Sequence, residues 1–423
     1  MPAFFKSQDG GYVGRGREGV VVQHKVVIVG SSVAGVRAAR VLRAEGYPGR
    51  IILVGEEPVL PYDRPPLSKQ VLSGAWPTER AGLLTMAAAA DAEIELRLGV
   101  QARALDAEAR LVHLAGGELL PYDDLVIATG ASPRPSPWRA ESGIYLLRTL
   151  ADCLALKERF TDGATIVMIG GGFIGAETAA AARSAGCDVT LVDPVPVPME
   201  RAAGPVVGAL LADVHRRNGV RTRFGVGVQA VSGRAGDLAI TLTDGSVLRA
   251  GTVVVGIGAI PNDQWLQGSG LAVEDGIVCD AHLAAAGATN IFAVGDVARW
   301  PHPELGAQVR SEHWTNAADQ ARCAARNIAR PGARETYQPS DYVWSDQYDW
   351  KLQLAGRRDR AVEEWLIGAP DAERPKVAVL HADVAGRLCA AVCLNWPKAF
   401  VQCRRLLDER VPAAQARELL GRL

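Results

Sequence analysis

Two stretches of the chain combine small residues, a helix start and a later acid at spacings suited to holding a dinucleotide. The first is Gly30-Ser31-Ser32-Val33-Ala34-Gly35, with Glu56 placed 21 residues beyond Gly35. The second is Gly170-Gly171-Gly172-Phe173-Ile174-Gly175, with Asp193 placed 18 residues beyond Gly175. In such a turn the glycines let backbone approach a pyrophosphate. The following helix offers unpaired N–H groups and the positive end of its dipole, and the acid accepts from ribose hydroxyls. The second stretch fills all three glycine positions of G-x-G-x-x-G; in the first, Ser32 takes the middle one, which predicts a slightly crowded site, not a lost one. An acid repels a 2′-phosphate, and no base stands between Asp193 and Arg201, so NAD is expected over NADP. Two dinucleotides in one chain suggest a tightly held flavin and an exchangeable nicotinamide, with hydride passing between stacked rings. A flavin stores two electrons and releases them singly, which suits one-electron partners.

The elements that must position these turns are strand–helix–strand units. Lys25-Val26-Val27-Ile28-Val29 is an apolar, β-branched run of the kind found in buried parallel strands. A helix follows through Val36 to Leu42, then a strand over Ile51 to Val54. The second unit repeats the order: Thr165 to Ile169, an alanine-rich helix from Ala176, and Asp188 to Asp193. Between the units, Pro58 to Lys69 holds four prolines within its first nine residues and is expected to be a fixed, extended segment. It could carry Lys69 toward a reactive ring; a rigid surface loop with an exposed lysine is the equal alternative. Small strands are expected over 93–98, 102–106 and 110–114, with a hairpin turn at Gly116-Gly117. Asp124 to Ala131 is a buried strand whose small-residue end, Ala128-Thr129-Gly130, admits a close ligand or is a plain strand end. Another strand runs from Val253 into a Gly/Pro turn before Asn262. Asp296, ending the strand over 289–296, could bind a polyol or cap the next segment. A helix is expected over 316–328. From Tyr337 to Trp350 five aromatics crowd together, strands are plausible at 351–355, 376–381 and 387–394, helices at 399–408 and 413–420, and the aromatics are assigned to a core.

Composition narrows the class. The chain has 423 residues, 48% of them hydrophobic, enough for two or three domains with real cores. Its 46 basic and 47 acidic residues give no attraction to nucleic acid or to an anionic membrane. No apolar run approaches the roughly 18 residues of a membrane helix. The seven cysteines include no C-x-x-C pair, and Cys389 and Cys393 on one strand would stand about 13 Å apart; the pattern fits a reducing cytosol. Residues 1–24 lack an apolar signal core and are read as a flexible N-terminal arm. Four closely arranged cysteines for an iron–sulfur centre are missing, so no metal site is expected in this chain.

Together these motifs resemble the FAD-dependent NADH:ferredoxin reductases that supply Rieske oxygenases and bacterial cytochromes P450, over roughly Lys25 to the end. The marks are Val27-Ile28-Val29-Gly30-Ser31-Ser32-Val33-Ala34-Gly35, Tyr62-Asp63-Arg64-Pro65-Pro66-Leu67-Ser68-Lys69, Ala128-Thr129-Gly130, Gly170 to Glu177, Gly256 to Asn262, Ala293-Val294-Gly295-Asp296, Glu312-His313-Trp314, and Trp344-Ser345-Asp346-Gln347-Tyr348-Asp349. The proline–lysine stretch and the Ser-Asp-Gln-Tyr-Asp run are specific to this branch. The resemblance implies an α/β fold of two Rossmann-like dinucleotide-binding domains, one split and one inserted in it, plus a C-terminal α+β domain. The expected limits are 25–133 with 265–336 for FAD, 134–264 for NAD, and 337–423 for the third domain. It also implies that Gly30, Ser32, Ala34, Gly35, Glu56, Arg64, Lys69, Ala102, Ala128, Thr129, Gly130, Arg148, Asp296 and Trp314 hold FAD. Gly170, Gly172, Ile174, Gly175, Glu177, Asp193 and Gly258 would hold NADH. Lys69 would lie beside the flavin ring with Glu177 facing it across the nicotinamide pocket, in an ion pair that rearranges as NADH enters, and Trp314 would lie against the ring; these three form the expected catalytic set.

The expected partner is a ferredoxin, of [2Fe–2S] type, and the expected state a cytoplasmic monomer or weak homodimer. Acidic ferredoxins would need a local basic patch; Arg357, Arg358 and Arg360 are one candidate, an ordinary solvated surface the other. Thiol-dependent flavoenzymes of the same fold need redox cysteines in the first unit, and residues 1–152 contain none. A rubredoxin reductase, and an apoptosis-inducing-factor-like protein that senses NADH, are the remaining alternatives. The short C-terminal domain, without a long insertion, favours the enzyme.

Overall fold

A computed structural model of the chain describes residues 24–370 and 375–423, together with the short paired strands Phe5–Lys6 and Tyr12–Val13. The rest of the expected N-terminal arm lies outside the described residues. The chain divides into two compact units, Met1–Asp63 with Gly82–Ser132 and Ile260–Pro339, and Arg64–Ala81 with Pro133–Ala259 and Ser340–Leu423.

The first unit is built on a parallel five-stranded sheet. Its order is Ile291–Ala293, Asp124–Ile127, Lys25–Val29, Arg50–Gly55, Ile94–Leu98. Val26, Val27 and Ile28 are fully buried, as a strand covered on both faces requires. The helices Val33–Ala44 and Trp314–Ala329 pack against one another. They do so through small residues, Ala38, Ala39, Ala321 and Ala324 among them, all fully buried. Of the expected small strands, Ile94–Leu98 forms an edge of this parallel sheet, whereas Ala102–Asp106 and Leu111–Leu114 form an antiparallel sheet with Leu119–Pro121.

The second unit contains a matching parallel sheet in the order Ile144–Tyr145, Thr252–Val255, Thr165–Ile169, Asp188–Asp193, Arg221–Phe224. It also contains an antiparallel five-stranded sheet in the order Tyr342–Gln347, Trp350–Gly356, Leu388–Leu394, Lys376–Ala382, Glu363–Ala369. Helices Pro397–Asp408 and Ala413–Gly421 cover one face through Ala399, Phe400, Cys403 and Leu420. On the other face Leu352, Val379 and Val392 pack with Val207 and Leu211 of the helix Pro205–Arg217.

Two expectations are corrected. The segment before Lys69 is not extended throughout: Pro65–Ser68 is a 3-10 turn, closed by Leu67 N–H on Arg64 O (2.9 Å) and Lys69 N–H on Pro66 O (3.1 Å). The ring-fixed φ of proline suits a first helical turn, whose N–H groups have no partner to lose. The late aromatics serve cores, as expected, but not one core of a separate domain: Tyr337 is buried in the core of the first unit, Trp350 lies in a core cluster of the second with the half-buried Tyr348 against it, and the half-buried Tyr342 packs on another. Tyr342 stacks on Trp344 at 5.8 Å between centroids.

Candidate active site

Each parallel sheet places a glycine turn at the carboxyl end of its central strand. Gly30 follows Val29 with φ +117°, and a Cβ there would lie 2.1 Å from the Ala128 carbonyl oxygen. Gly170 follows Ile169 with φ +104°, and a Cβ would lie 2.2 Å from Gly256 O. Both glycines are dictated by backbone crowding and by a conformation L side chains avoid. The third glycines, Gly35 and Gly175, let each helix close on its turn: a Cβ at either would stand 1.8 Å from the carbonyl oxygen of Gly30 or Gly170.

The middle position differs. Gly172 has φ −71°, which any residue adopts, and a Cβ there would meet nothing within 4 Å. The chain itself therefore does not need a glycine at Gly172, and its open face leaves room for a ligand to come close. That open face, at the start of the helix Phe173–Ser184, fits a pyrophosphate. Ile174, two residues past Gly172, and Gly258 are exposed, and a Cβ at Gly258 would also meet nothing within 4 Å. Asp193 accepts from Gly171 N–H at 2.5 Å and from Val195 N–H at 2.9 Å. It braces the turn, and a carboxylate with about four acceptor sites keeps two for hydroxyls.

In the first unit Ser32 begins the helix Val33–Ala44, Ala34 and Gly35 are buried in its first turn, and Glu56 is exposed just past the strand Arg50–Gly55. Ala128-Thr129-Gly130 is latched by Asn262. Thr129 Oγ1 donates to Asn262 O (2.8 Å), Asn262 Nδ2 donates to Thr129 O (2.9 Å), and Asn262 N–H donates to Gly130 O (2.9 Å). Ala102 begins its strand half-buried. Asp296 lies in the 3-10 turn Gly295–Val297, its carbonyl accepting from Arg310 at 3.1 Å. Trp314 opens the helix Trp314–Ala329 and donates from Nε1 to Asp63 Oδ1 at 2.7 Å. The other three residues expected to hold FAD, Arg64, Lys69 and Arg148, belong to the second unit, where Arg64 donates to Arg148 O at 2.6 Å.

The second unit also brings together the two residues expected to face one another. Glu177 is 3% exposed on the helix Phe173–Ser184, and Lys69 Nζ lies 2.8 Å from its Oε2. Ser68 Oγ donates to the same oxygen at 2.5 Å and Ser345 Oγ donates to Oε1 at 2.7 Å. Lys69 donates also to Pro65 O at 3.2 Å, which leaves one N–H of the ammonium for a further acceptor. Burying a charge pair is tolerated only with such added hydrogen bonds. Ser68, Ser345, Gln347 and, in the first unit, Asn262 are contributors without an individual role in the sequence reading. All lie inside motifs it singled out, and that membership was the available signal.

Two further features bear on the chemistry. Cys153, the first cysteine of the chain, is buried and donates to Leu67 O at 3.3 Å; burial pushes its thiol up to about 11. It is protonated at neutral pH and poorly nucleophilic. The candidate basic cluster is not a bare patch: Arg357 pairs with Asp359 at 2.8 Å and Asp341 at 3.6 Å, and Arg358 is half-buried. Among the described residues no helix is long and apolar enough to cross a membrane.

Comparison with known proteins agrees with this arrangement. Residues 24–321 match the pyridine nucleotide-disulphide oxidoreductase family and residues 342–419 the reductase C-terminal family. The chain is 37% identical to rhodocoxin reductase of Rhodococcus erythropolis over 92% of this chain and 90% of that protein. It is 39% identical to the ferredoxin–NAD(+) reductase component of the anthranilate 1,2-dioxygenase system of Burkholderia cepacia, over 90% and 93%. Putidaredoxin reductase, solved as a covalent complex with putidaredoxin, superposes with a TM-score of 0.86 at 35% identity, covering 92% of this chain and 94% of the other. A persulfide reductase and a water-forming NADH oxidase, each 21% identical, share the fold alone. Two glycine turns, a buried Lys–Glu pair and an added C-terminal sheet thus accompany these similarities, and the chain belongs to the pyridine nucleotide-disulphide oxidoreductase family, in its branch of FAD-dependent ferredoxin–NAD(+) reductases.

Proposed function

We propose that the first turn holds the ADP part of FAD, that the second binds NADH, and that the chain passes electrons one at a time to a [2Fe–2S] ferredoxin feeding a Rieske oxygenase or a cytochrome P450. The observation that carries this reading is the buried Lys69–Glu177 pair beside the complete G-x-G-x-x-G turn. The named relatives, reductases of ferredoxin-dependent systems, support the acceptor class. The flavin supplies the conversion of a two-electron donor into single-electron transfers. The rest is done by side chains. Gly30, Ser32, Ala34 and Gly35 bind the pyrophosphate of FAD and Glu56 its ribose. Ala102, Ala128, Thr129, Gly130, Arg64, Arg148 and Asp296 complete that site, and Trp314 lies against the ring. Gly170, Gly172, Ile174, Gly175 and Gly258 receive NADH and Asp193 its adenosine ribose. Lys69 places positive charge where negative charge grows on reduction, and Glu177 balances that charge until NADH enters.

In this reading the FAD domain covers 25–133 and 265–336, the NAD domain 134–264 and the third domain 337–423. The protein acts in the cytoplasm as a monomer or weak homodimer. The test is NADH-driven cytochrome c reduction by the purified yellow protein, with and without [2Fe–2S] ferredoxins and a rubredoxin. Strong stimulation by a ferredoxin is expected. Rapid flavin reduction that no carrier turns into cytochrome c reduction would overturn the acceptor assignment.

A further inference from the structure

We infer that Ser345, oriented by Gln347, is a positioning residue for Glu177: it anchors one carboxylate oxygen so that Lys69 is the partner that can be exchanged. The inference rests on the reading of Glu177 as part of the NADH site. The buried side chains around Glu177 on its helix are small, Ala176, Ala179 and Ala182 with the hydroxyl-bearing Thr178, all fully buried. A carboxylate there depends on each partner it has. Its two oxygens are used differently. Oε2 takes Lys69 and Ser68, both from the turn at 65–69, whereas Oε1 takes Ser345 at 2.7 Å and, among the described residues, no second hydrogen bond. If the Lys69 contact is given up, Ser345 still fixes the carboxylate from the opposite oxygen.

The direction of the Ser345 hydrogen bond is set from behind. Gln347 Nε2 donates to Ser345 Oγ at 3.2 Å and to Met199 Sδ at 3.3 Å. A hydroxyl that accepts from an amide keeps its single proton for another acceptor, here Glu177. Ser345 and Gln347 share one face of the strand Tyr342–Gln347 because strand side chains alternate; they are 0% and 1% exposed, so water does not substitute for either. Met199 in turn, at φ +56°, donates its N–H to Gly171 O at 2.9 Å. One strand of the antiparallel sheet therefore touches both the glycine turn, through Met199, and the acid of the ion pair. Among the charged groups on neighbouring elements, Glu200, next to Met199, buries its Oε2 without a hydrogen-bond partner. Asp193 holds the turn, Asp188 pairs with Arg221 at 2.8 Å, and Asp346 alternates to the other face of its strand.

The test uses the flavin-loaded protein and two readouts: the infrared carboxylate stretch of Glu177, assigned by difference against Glu177→Gln, and the stopped-flow rate of flavin reduction by NADH. Ser345→Ala should shift the carboxylate band and slow reduction by about tenfold at saturating NADH. The NAD+ dissociation constant from calorimetry should change by less than about twofold. Ser345→Thr, which keeps the hydroxyl, should restore both readouts. An unchanged band and rate in Ser345→Ala, or a loss that Ser345→Thr fails to recover, overturns the inference. Should Ser345→Ala not fold, Gln347→Met takes its place, with a smaller shift in the same direction expected and no shift overturning the role. A Glu177→Gln protein that is reduced at the normal rate would instead overturn the reading of the site, which separates the two failures.

Discussion

The two glycine turns have nearly the same backbone and differ in what their side chains are exposed to. The first glycine of each has φ above +100° and faces a carbonyl at just over 2 Å from its added Cβ; the third glycine of each faces its own turn at 1.8 Å. Gly30 and Gly170 donate to Val54 O and Val192 O, both at 2.8 Å. The divergence begins on the helix. Two residues past Gly35 stands Arg37, exposed; two residues past Gly175 stands Glu177, buried under the 65–69 turn and Ser345. The middle position is Ser32 in one and Gly172 in the other. The acid is exposed in one, Glu56, and bound to its own turn in the other, Asp193. Backbone geometry makes the two turns alike; the covering side chains set them apart.

The strongest way to break the comparison is to block each turn in the same manner. Gly35→Val and Gly175→Val each push side-chain atoms into a carbonyl oxygen, and overpacking of this kind costs about 1–3 kcal/mol or more. Gly35→Val should purify without its yellow colour. Gly175→Val should stay yellow, with the KM for NADH raised about tenfold or more. Absorbance spectra and steady-state kinetics decide it, and the reverse pattern would exchange the two assignments.

The next test uses the position where the units part. Lys69→Ala leaves Glu177 buried without its counter-charge. Breaking a buried pair costs about 3–5 kcal/mol, so a large fall in the melting temperature should follow, and flavin reduction should slow by about a hundredfold. Arg37→Ala, at the same helical position of the first unit, should change stability by less than about 0.5 kcal/mol and leave reduction untouched. Thermal melts and stopped-flow traces of both variants make the contrast.

The glycine turns were legible in the sequence because their requirements are local. A strand end, a positive φ and a helix start lie within six residues, and the residue types follow from them. The ion pair was legible only in part. The proline segment pointed at Lys69 but left a surface lysine equally open, and its last turn is helical because consecutive prolines suit a first turn as well as an extended run. The pairing with Glu177 came from family resemblance. Ser345 meets Glu177 across 168 residues of sequence, and no periodicity or spacing encodes such a contact. The aromatic cluster was legible as core but not as belonging to several cores: composition cannot tell that Tyr337 is buried in the first unit while Trp350 and Tyr342 serve two clusters of the second.

The two units should also separate under acid. In the second unit burial pushes His215 and His381 down to about 4. An unfolded histidine titrates near 6.5, so between those values the unfolded chain binds more protons. Stability is therefore full above about pH 6.5 and falls as the pH drops toward 4. By pH 5 the loss should be about 2 kcal/mol per histidine. In the first unit burial raises Asp124 to about 6, with His24 at 3.7 Å opposing the shift. There the folded chain binds the extra proton, and stability rises as the pH falls through 6. Hydrogen exchange at pH 7 and pH 5, corrected for intrinsic rates, should show protection lost in the strands 376–382 and 388–394 but kept in 25–29 and 124–127. Equal loss in both units would remove this difference between them.

The smallest effect concerns the middle position, and it sharpens the comparison most. Gly172 is not required by its own backbone, and Ser32 begins its helix at φ −95° without strain. If both positions face a pyrophosphate, a serine costs only the crowding of one small side chain. Gly172→Ser should raise the KM for NADH by less than about tenfold, and Ser32→Gly should slow FAD release by a similar or smaller factor, since a few contacts are worth about 1 kcal/mol. Fold and melting temperature should not move in either. A Gly172→Ser protein that loses NADH altogether would mean that the second turn tolerates no side chain where the first does. The two ligands would then approach their turns at different depths despite matching backbones.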